Sequence, residues 1–196
     1  MLPFFGKPLE QLIEDGELKI SFDEEGFKLN YFDNNYPLSV PAYPKLLESE
    51  KSVHIPNSVA AFLNAGRNTK NFTELRKKLF VEYSDSVQTK NYIDECLHTA
   101  NNNKERLKSI IDELYYYPSF WKDTETKINY RRFFTINGLI CVNVQHEQVF
   151  ETTHKLIANW IRKGMIDGLR IDHIDGLFNP GEYLERLRNL AGEGTY

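Results

Sequence analysis

The feature that most constrains the fold is a pair of alternating segments near the N-terminus that flank a short turn. Apolar and polar residues alternate over 18–22 and again over 27–31, on either side of Asp23-Glu-Glu-Gly26. A period of two places successive side chains on opposite faces of a strand, so the pattern predicts a β-hairpin with one apolar face. Because an isolated hairpin is barely stable in water, another part of the chain must cover that face.

Most of the remaining chain shows the spacing of amphipathic helices. Each stripe of apolar residues is one-sided, which predicts helices that pack on one another. A short helix is expected between Pro8 and Gly16, and a capping box at Asn71 and Glu74. The other predicted helical stripes lie at 58–63, 72–83, 93–100, 107–114 and 149–161.

The C-terminal part of the sequence predicts a different order of secondary-structure elements. The long stripe ends at Gly164, and Leu169–Asp172 is predicted as a short strand. Asn179 with Pro180 starts another helix, with Leu184, Leu187 and Leu190 facing inward. Helix, loop, strand, loop and helix in succession are typical of a βα barrel or a doubly wound sheet. An apolar run at 2–5 predicts a second buried strand.

These elements predict an α/β parent fold, a partial TIM barrel. The chain itself is expected to be mainly α-helical, with a β-hairpin and two isolated barrel strands. The predicted domain organisation assigns 1–16 and 165–196 to pieces of the barrel, 17–56 to the hairpin and an irregular connection, and 57–164 to a helical insertion.

Composition excludes several classes of protein. The chain has 196 residues, 41% of them apolar, which argues against disorder and against a disulfide scaffold. A net charge of −4 disfavours a nucleic-acid partner. The only cysteines, Cys96 and Cys141, lie far apart, which favours a reduced, cytoplasmic setting. No apolar run reaches the roughly 18 residues of a membrane helix, so no membrane partner is expected.

The segment with the clearest chemical meaning is the predicted strand Leu169–Asp172. Alternation places Leu169 and Ile171 on one face, and Arg170 and Asp172 on the other. The guanidinium favours the ionised carboxylate, which suits a nucleophile that forms a covalent sugar ester. The same pair could equally be a structural ion pair that ties the strand to a neighbour, and the spacing alone leaves both interpretations open.

Longer motifs around this pair carry a resemblance. Gly168-Leu-Arg-Ile-Asp172 fits the G-x-R-x-D pattern of the alpha-amylase superfamily of glycoside hydrolases. The strings Asp167-Gly-Leu-Arg-Ile-Asp-His-Ile-Asp-Gly-Leu177 and Asn129-Tyr-Arg-Arg-Phe-Phe-Thr-Ile-Asn137 resemble the maltooligosyl trehalose synthases of that superfamily. Shorter matches at Gly16-Glu-Leu, Tyr36-Pro-Leu and Glu147 to Phe150 extend the resemblance, in order, along nearly the whole chain.

The resemblance implies an intramolecular transglucosylase. Such an enzyme converts the reducing-end α-1,4 bond of a maltooligosaccharide into an α,α-1,1 bond, which gives a trehalose end. By the same resemblance Asp172 is the nucleophile and Arg170 the catalytic residue beside it. The implied partners are the maltooligosaccharide and the remainder of a longer chain, with no cofactor and no metal. The implied substrate-binding residues are His173, Asp175, Arg132, Phe133 and Tyr130.

The resemblance also implies a second carboxyl group. A retaining enzyme needs an acid/base about 5 Å from its nucleophile, and in this superfamily a Glu on the next barrel strand supplies it. Glu185 is predicted on the last helix and Glu193 in a glycine-rich tail, so neither fits that position. The chain is therefore expected to be an internal fragment of a longer enzyme and to be inactive on its own.

Three other interpretations remain. The chain could derive from another hydrolase or transglycosylase of the superfamily, or form a non-catalytic helical module that binds carbohydrate or another protein. A metal site built from Asp172, His173, Asp175 and His154 is disfavoured, because no helical spacing supports it and neighbouring strand residues point in opposite directions. Arg131 and Arg132 are interpreted as partners for carboxylates or sugar hydroxyls.

Overall fold

The computed structural model describes residues 1–48, 54–65 and 72–196. The chain divides into two compact units, Met1–Lys127 (unit 1) and Ile128–Tyr196 (unit 2), and each is described by itself. The boundary falls inside the predicted insertion 57–164, and the predicted division into barrel pieces and insertion stays a prediction. The predicted capping residue Asn71 lies outside the described residues.

Unit 1 combines short strands with most of the described helices, and the helices expected near Leu9 and Ser58 are present. Its strands are β1 (Leu2–Phe5), β2 (Leu18–Asp23), β3 (Gly26–Tyr31), β4 (Asn34–Pro37) and β5 (Pro118–Phe120). Its helices are α1 (Leu9–Glu14), α2 (Ala42–Leu47), α3 (Asn57–Ala65), α4 (Phe72–Asp85), α5 (Val87–Asn102), α6 (Lys104–Ile111) and α7 (Thr124–Lys127), with a 3₁₀ turn at Trp121–Asp123.

The predicted hairpin is confirmed and carries a third strand. β2 and β3 pair antiparallel with Ile20 opposite Leu29. Gly26 ends the turn at φ +107°, a backbone conformation that side chains with a Cβ rarely adopt. β4 pairs antiparallel with the other edge of β3, within a stretch that the sequence pattern predicted as irregular. The backbone hydrogen bonds offered by β3 outweigh the weak strand propensity of Asn and Pro there.

The core of unit 1 is formed by the three-stranded sheet, β1 and the helices α1 to α6. Asn101, near the end of α5, also completes the outer edge of β2. Its side-chain oxygen accepts a hydrogen bond from the Ile20 backbone N–H (2.7 Å), and its amide donates to the Ile20 carbonyl (2.9 Å). The side chain thus satisfies backbone groups that an edge strand would otherwise leave unpaired.

The predicted strand at 2–5 is also formed, as β1. It pairs in parallel with β5, which follows an aromatic run that had no strand prediction. The two-stranded sheet β1-β5 is separate from the sheet β2-β3-β4. A strand expected to be isolated therefore has a partner more than a hundred residues later in the chain.

Unit 2 contains two long helices, α8 (Glu147–Arg162) and α9 (Pro180–Ala191), and a 3₁₀ turn at Ile174–Gly176. Gly164 follows α8 at φ +63°, and the Asn179 side chain caps α9 by accepting from the Glu182 N–H at 3.2 Å, so both predicted helix boundaries are confirmed. Leu184 does not face inward as predicted. It is 43% exposed, because α8 and α9 alone cannot cover both sides of each helix.

The prediction of a second barrel strand, at 169–172, is wrong. Residues 169–172 have no strand partner, and unit 2, which is described completely, holds no strand beyond an isolated bridge between Arg132 and Ile140. The backbone bonds in this region join the Leu169 N–H to the Tyr196 carbonyl (2.7 Å) and the Tyr196 N–H to the Asp167 carbonyl (2.9 Å). A strand is stabilised by a neighbour's ladder, and none lies beside this segment, so a partial barrel is not confirmed.

Among the described residues, no helix has the length and apolar character needed to cross a bilayer.

Candidate functional site

The residues singled out by the sequence lie in unit 2, on the segment that joins α8 to α9 and on the loop that carries Tyr130, Arg132 and Phe133. The segment runs from Lys163 to Asn179 and is anchored by a helix end on each side. Between these anchors the chain has little regular structure, so its shape depends on side-chain contacts. Connecting segments of this kind, held between rigid elements, commonly carry binding and catalytic groups.

Arg170 and Asp172 form an ion pair in this segment. The Arg170 Nε donates to the Asp172 Oδ1 at 3.1 Å, and the two side chains are 88% and 62% exposed. Leu169 and Ile171 are half-buried, so the predicted alternation of faces holds even without a strand. An ion pair this exposed contributes little to folding stability, which disfavours the interpretation of a buried structural tie.

The opposite face of the same segment borders a cavity of about 780 Å³. Leu169 and Ile171 line it together with Leu184 and Leu187 of α9 and with the C-terminal Tyr196. The segment thus places apolar side chains toward α9 and the charged pair toward solvent.

His173 is the next residue and has a left-handed backbone, with φ +58°. Its ring contacts Phe133 and Phe134 edge to face, with centroids 5.1 and 4.9 Å apart. Phe134 is left-handed as well, at φ +51°. Such conformations cost energy in residues with a Cβ, and they often occur at functional sites. The fold therefore brings predicted residues His173 and Phe133 together and adds Phe134, which had no assigned role.

Tyr130 and Arg132 shape the loop that carries the two phenylalanines. The Tyr130 hydroxyl donates to the Asn137 carbonyl at 3.0 Å, and the Arg132 Nη1 donates to the Asn137 side-chain oxygen. Burial raises the pKa of Tyr130, which keeps its hydroxyl protonated as the donor. The Arg132 guanidinium thus bonds an amide oxygen, and its interpretation as a partner for a carboxylate or a sugar hydroxyl stays a prediction. Asp175 lies exposed in the 3₁₀ turn.

Arg131 reaches across to the same turn. Its Nη1 donates to the Gly176 carbonyl at 3.2 Å, and its guanidinium carbon lies 5.5 Å from the centre of the Phe178 ring. No sequence pattern assigned a role to Phe178, which directly follows the motif 167–177. The contact joins two loops about 45 residues apart in sequence, which local patterns cannot reveal.

His154 belongs to the packing of unit 2, not to a metal site. Its Nδ1 lies 2.8 Å from the Phe150 carbonyl, which can only accept, so Nδ1 carries the proton and Nε2 accepts from the Tyr183 hydroxyl at 2.9 Å. The buried ring thereby joins α8 to α9. Within the described parts of the chain, no three His, Cys, Asp or Glu side chains lie close enough together to hold a metal ion.

Part of the sequence is similar to that of a known protein. The chain is 42% identical over 67 residues to a protein of Mycobacterium tuberculosis assigned as a maltooligosyl trehalose synthase, a match that spans 34% of this chain and 9% of that protein. The resemblance to maltooligosyl trehalose synthases is confirmed. No family model matches the chain.

Solved structures extend the resemblance to almost the whole chain. A glycosyltrehalose synthase matches with 28% identity and a TM-score of 0.54 over 99% of this chain and 19% of its own. A maltooligosyl trehalose synthase matches with 25% identity and a TM-score of 0.54 over 98% of this chain and 17% of its own. The chain therefore spans less than a fifth of the length of either relative.

Proposed function

We propose that this chain supplies the nucleophile of an intramolecular transglucosylase, a maltooligosyl trehalose synthase, within a longer protein. The observation that supports this most is the exposed Arg170–Asp172 pair at 3.1 Å, inside a segment that resembles this family. A carboxylate this exposed is accessible to a sugar.

The proposed reaction is a double displacement with retention. An Asp172 oxygen attacks the anomeric carbon of the penultimate glucosyl unit while the α-1,4 bond to the reducing-end glucose breaks. A carboxylic acid gives its proton to the departing O4 oxygen. The released glucose then presents its 1-hydroxyl to the same anomeric carbon, the carboxylate takes that hydroxyl proton, and the ester bond to Asp172 breaks. The product carries an α,α-1,1 bond, and no redox step or cofactor is required.

The aromatic rings near the nucleophile fit a sugar site. His173 follows Asp172 directly, and Phe133 and Phe134 hold its ring from two sides. In the proposed reaction this group orients the glucosyl unit over Asp172, with Asp175, Arg132 and Tyr130 as further substrate-binding residues. Positioning of this kind supplies a large part of the rate enhancement of enzymes that act on bound substrates.

The acid/base carboxyl group is proposed to come from the longer protein. A retaining pair needs about 5–5.5 Å between carboxyl groups. In unit 2, Glu182 pairs with Arg186 at 2.5 Å on α9, and Glu185 lines the cavity on the apolar side of the segment. We propose that neither is the partner of Asp172 and that the 196-residue chain alone is inactive.

The test is turnover of maltopentaose by the full-length protein that contains this chain. Asp172→Asn should lower the rate of trehalose-end formation by about 10⁶-fold, because removal of a nucleophile typically costs this much. Arg170→Ala should cost about 10²–10³-fold, as for a positioned electrostatic partner. Asp123→Asn is the matched control, because Asp123 is paired with Lys127 at 3.5 Å in unit 1. Full activity in Asp172→Asn would exclude the proposal.

A further inference from the structure

The loop that carries Phe133 and Phe134 also contains Asn137-Gly138, the only asparagine–glycine pair in the sequence. Asparagine is one of the chemically labile residues of proteins. Its side-chain amide can react with the backbone nitrogen of the residue that follows, and a glycine at that place has no Cβ to hinder the approach. The pair has no role in the proposed reaction.

Asn137 and Gly138 form the tip of a tight turn that leaves the Gly138 nitrogen open. The Leu139 N–H donates to the Ile136 carbonyl at 3.1 Å and closes the turn, so this bond does not use the Gly138 N–H. That N–H has no hydrogen-bond acceptor among the described residues. Gly138 is exposed, and no neighbouring side chain lies within 4 Å of the place that a Cβ would occupy. Water therefore reaches this nitrogen, which can lose its proton.

The side-chain amide of Asn137 is held by a cation. The Arg132 Nη1 donates to its oxygen, and the Tyr130 hydroxyl donates to the Asn137 backbone carbonyl at 3.0 Å. Because a guanidinium can only donate, the amide atom that faces it is the oxygen. A guanidinium in this position draws electron density from Cγ and stabilises the negative charge that the oxygen gains when a nucleophile attacks that carbon.

We propose that Asn137-Gly138 is a site of self-modification, and that Arg132 accelerates the reaction. Hydroxide removes the Gly138 amide proton, the nitrogen attacks Asn137 Cγ, and the new N–Cγ bond closes a cyclic imide. The bond from Cγ to the side-chain nitrogen breaks, and that nitrogen leaves as ammonia with a proton from water. Water then adds to one of the two imide carbonyls and opens the ring, which leaves aspartate or isoaspartate at position 137. The inference is independent of the proposed function.

The products change both the charge and the backbone of this loop. An aspartate at position 137 turns the bond to Arg132 into an ion pair, which is stronger than a guanidinium bond to a neutral amide. In isoaspartate the backbone runs through the former side chain, which lengthens the loop by a methylene group. The same loop carries Phe133 and Phe134, so the modification adds a negative charge to the segment that contacts His173.

Peptide mass spectrometry measures the conversion directly. The full-length protein that contains this chain is incubated in mildly alkaline buffer, and fragment ions locate each exchange of an amide NH₂ for a hydroxyl group. We expect conversion at Asn137 and much slower conversion at Asn143, which is exposed in the same unit but precedes Val144. The branched side chain of that valine shields the backbone nitrogen, so Asn143 serves as the internal control.

Variants separate the two reacting groups. Gly138→Ala should reduce conversion at Asn137 toward the level of the internal control. Arg132→Met should slow it about tenfold in the folded protein, the rate equivalent of one hydrogen bond from a charged donor. In urea the same substitution should have no effect, because the unfolded chain does not hold residues 132 and 137 together. Arg131→Met is the matched control, since that guanidinium bonds the Gly176 carbonyl, and it should convert as wild type.

Conversion at Asn137 that is no faster than at Asn143 would overturn the inference. Equal or faster conversion in Arg132→Met would also overturn it, because the guanidinium would then have no effect on the amide or protect it. If circular dichroism shows that Arg132→Met does not fold, the wild-type protein decides the matter. Its conversion at Asn137 should be faster in native buffer than in urea at the same pH, and the reverse order would exclude a role for the folded loop.

Discussion

Unit 1 buries many more side chains than unit 2, whereas the residues proposed to take part in the reaction lie in unit 2. Unit 1 holds the hydrophobic core, which extends from Phe5 to Ile111 through sheets and helices. In unit 2, which is described completely, the buried residues are Phe150, His154, Leu187 and Thr195. The proposed nucleophile and the aromatic group around His173 both lie in the less buried unit.

This contrast indicates that the candidate site does not depend on a dense local core. Regions with few buried contacts open at lower free energy than core helices and strands. Side chains that must meet a substrate have to stay accessible, so they cannot also contribute much to burial. Each unit contains one tryptophan, Trp121 or Trp160, so Trp160→Phe and Trp121→Phe backgrounds report the unfolding of unit 1 and unit 2 separately.

The largest expected effect comes from truncating the core of unit 1. Leu46 of α2 is fully buried, so Leu46→Ala should lower the free energy of unfolding by about 2–5 kcal/mol through lost burial and a cavity. The measurement is urea unfolding followed by Trp121 fluorescence. Leu184→Ala in α9, followed by Trp160 fluorescence, is the control, because that leucine is 43% exposed and its truncation should cost much less. Equal losses would show that the two units do not differ in packing.

Alkaline pH should weaken unit 1 in a graded way. Burial raises the pKa of Tyr43 and of Tyr92 to about 12, whereas unfolded tyrosines ionise near pH 10. Between about pH 10 and 12 the unfolded chain therefore binds fewer protons than the folded one, and the free energy of unfolding falls as pH rises. Below about pH 10 this contribution to stability is fully present.

Urea unfolding at a series of alkaline pH values checks this expectation. Tyr43→Phe should reduce the slope of the unfolding free energy against pH, and Tyr115→Phe, at an exposed site, should leave it unchanged. An identical slope in wild type and Tyr43→Phe would contradict the assignment.

A smaller effect is expected at the link between α8 and α9. Tyr183→Phe removes the hydroxyl that donates to His154 Nε2 at 2.9 Å and leaves that buried nitrogen without this partner. The expected cost is about 1–3 kcal/mol in unit 2, observed by Trp160 fluorescence during urea unfolding. Tyr196→Phe serves as control, since that ring is almost fully exposed. No loss in Tyr183→Phe would mean that the buried bond does not stabilise the helix pair.

The smallest effect on stability is expected at the proposed nucleophile itself. Asp172→Asn should change the free energy of unfolding by no more than about 1 kcal/mol, because exposed ion pairs are worth little. The same substitution is expected to abolish turnover in the full-length protein. A destabilisation as large as that of Leu46→Ala would show that the pair is structural and would remove the contrast between the units.

Local patterns determined a good part of this fold. The alternation around Gly26, the helix stop at Gly164 and the cap at Asn179 all depend on residues close together in sequence, and all three are confirmed. The motif around Asp172 carried the family resemblance for the same reason, since its residues are contiguous. The roles of Arg170 and Asp172 stay predictions until turnover is measured.

The tertiary structure determined those elements that need a partner segment distant in sequence. β4 and β5 formed where the sequence indicated no strand because β3 and β1 offer them hydrogen bonds, and 169–172 remained without a ladder because no strand lies beside it. The contact from Arg131 to Gly176 joins two loops about 45 residues apart, so local patterns could not predict it. Helix caps and tight turns are satisfied within a few residues, so sequence specifies them, whereas strands and cavities need a second segment whose position only the packed chain determines.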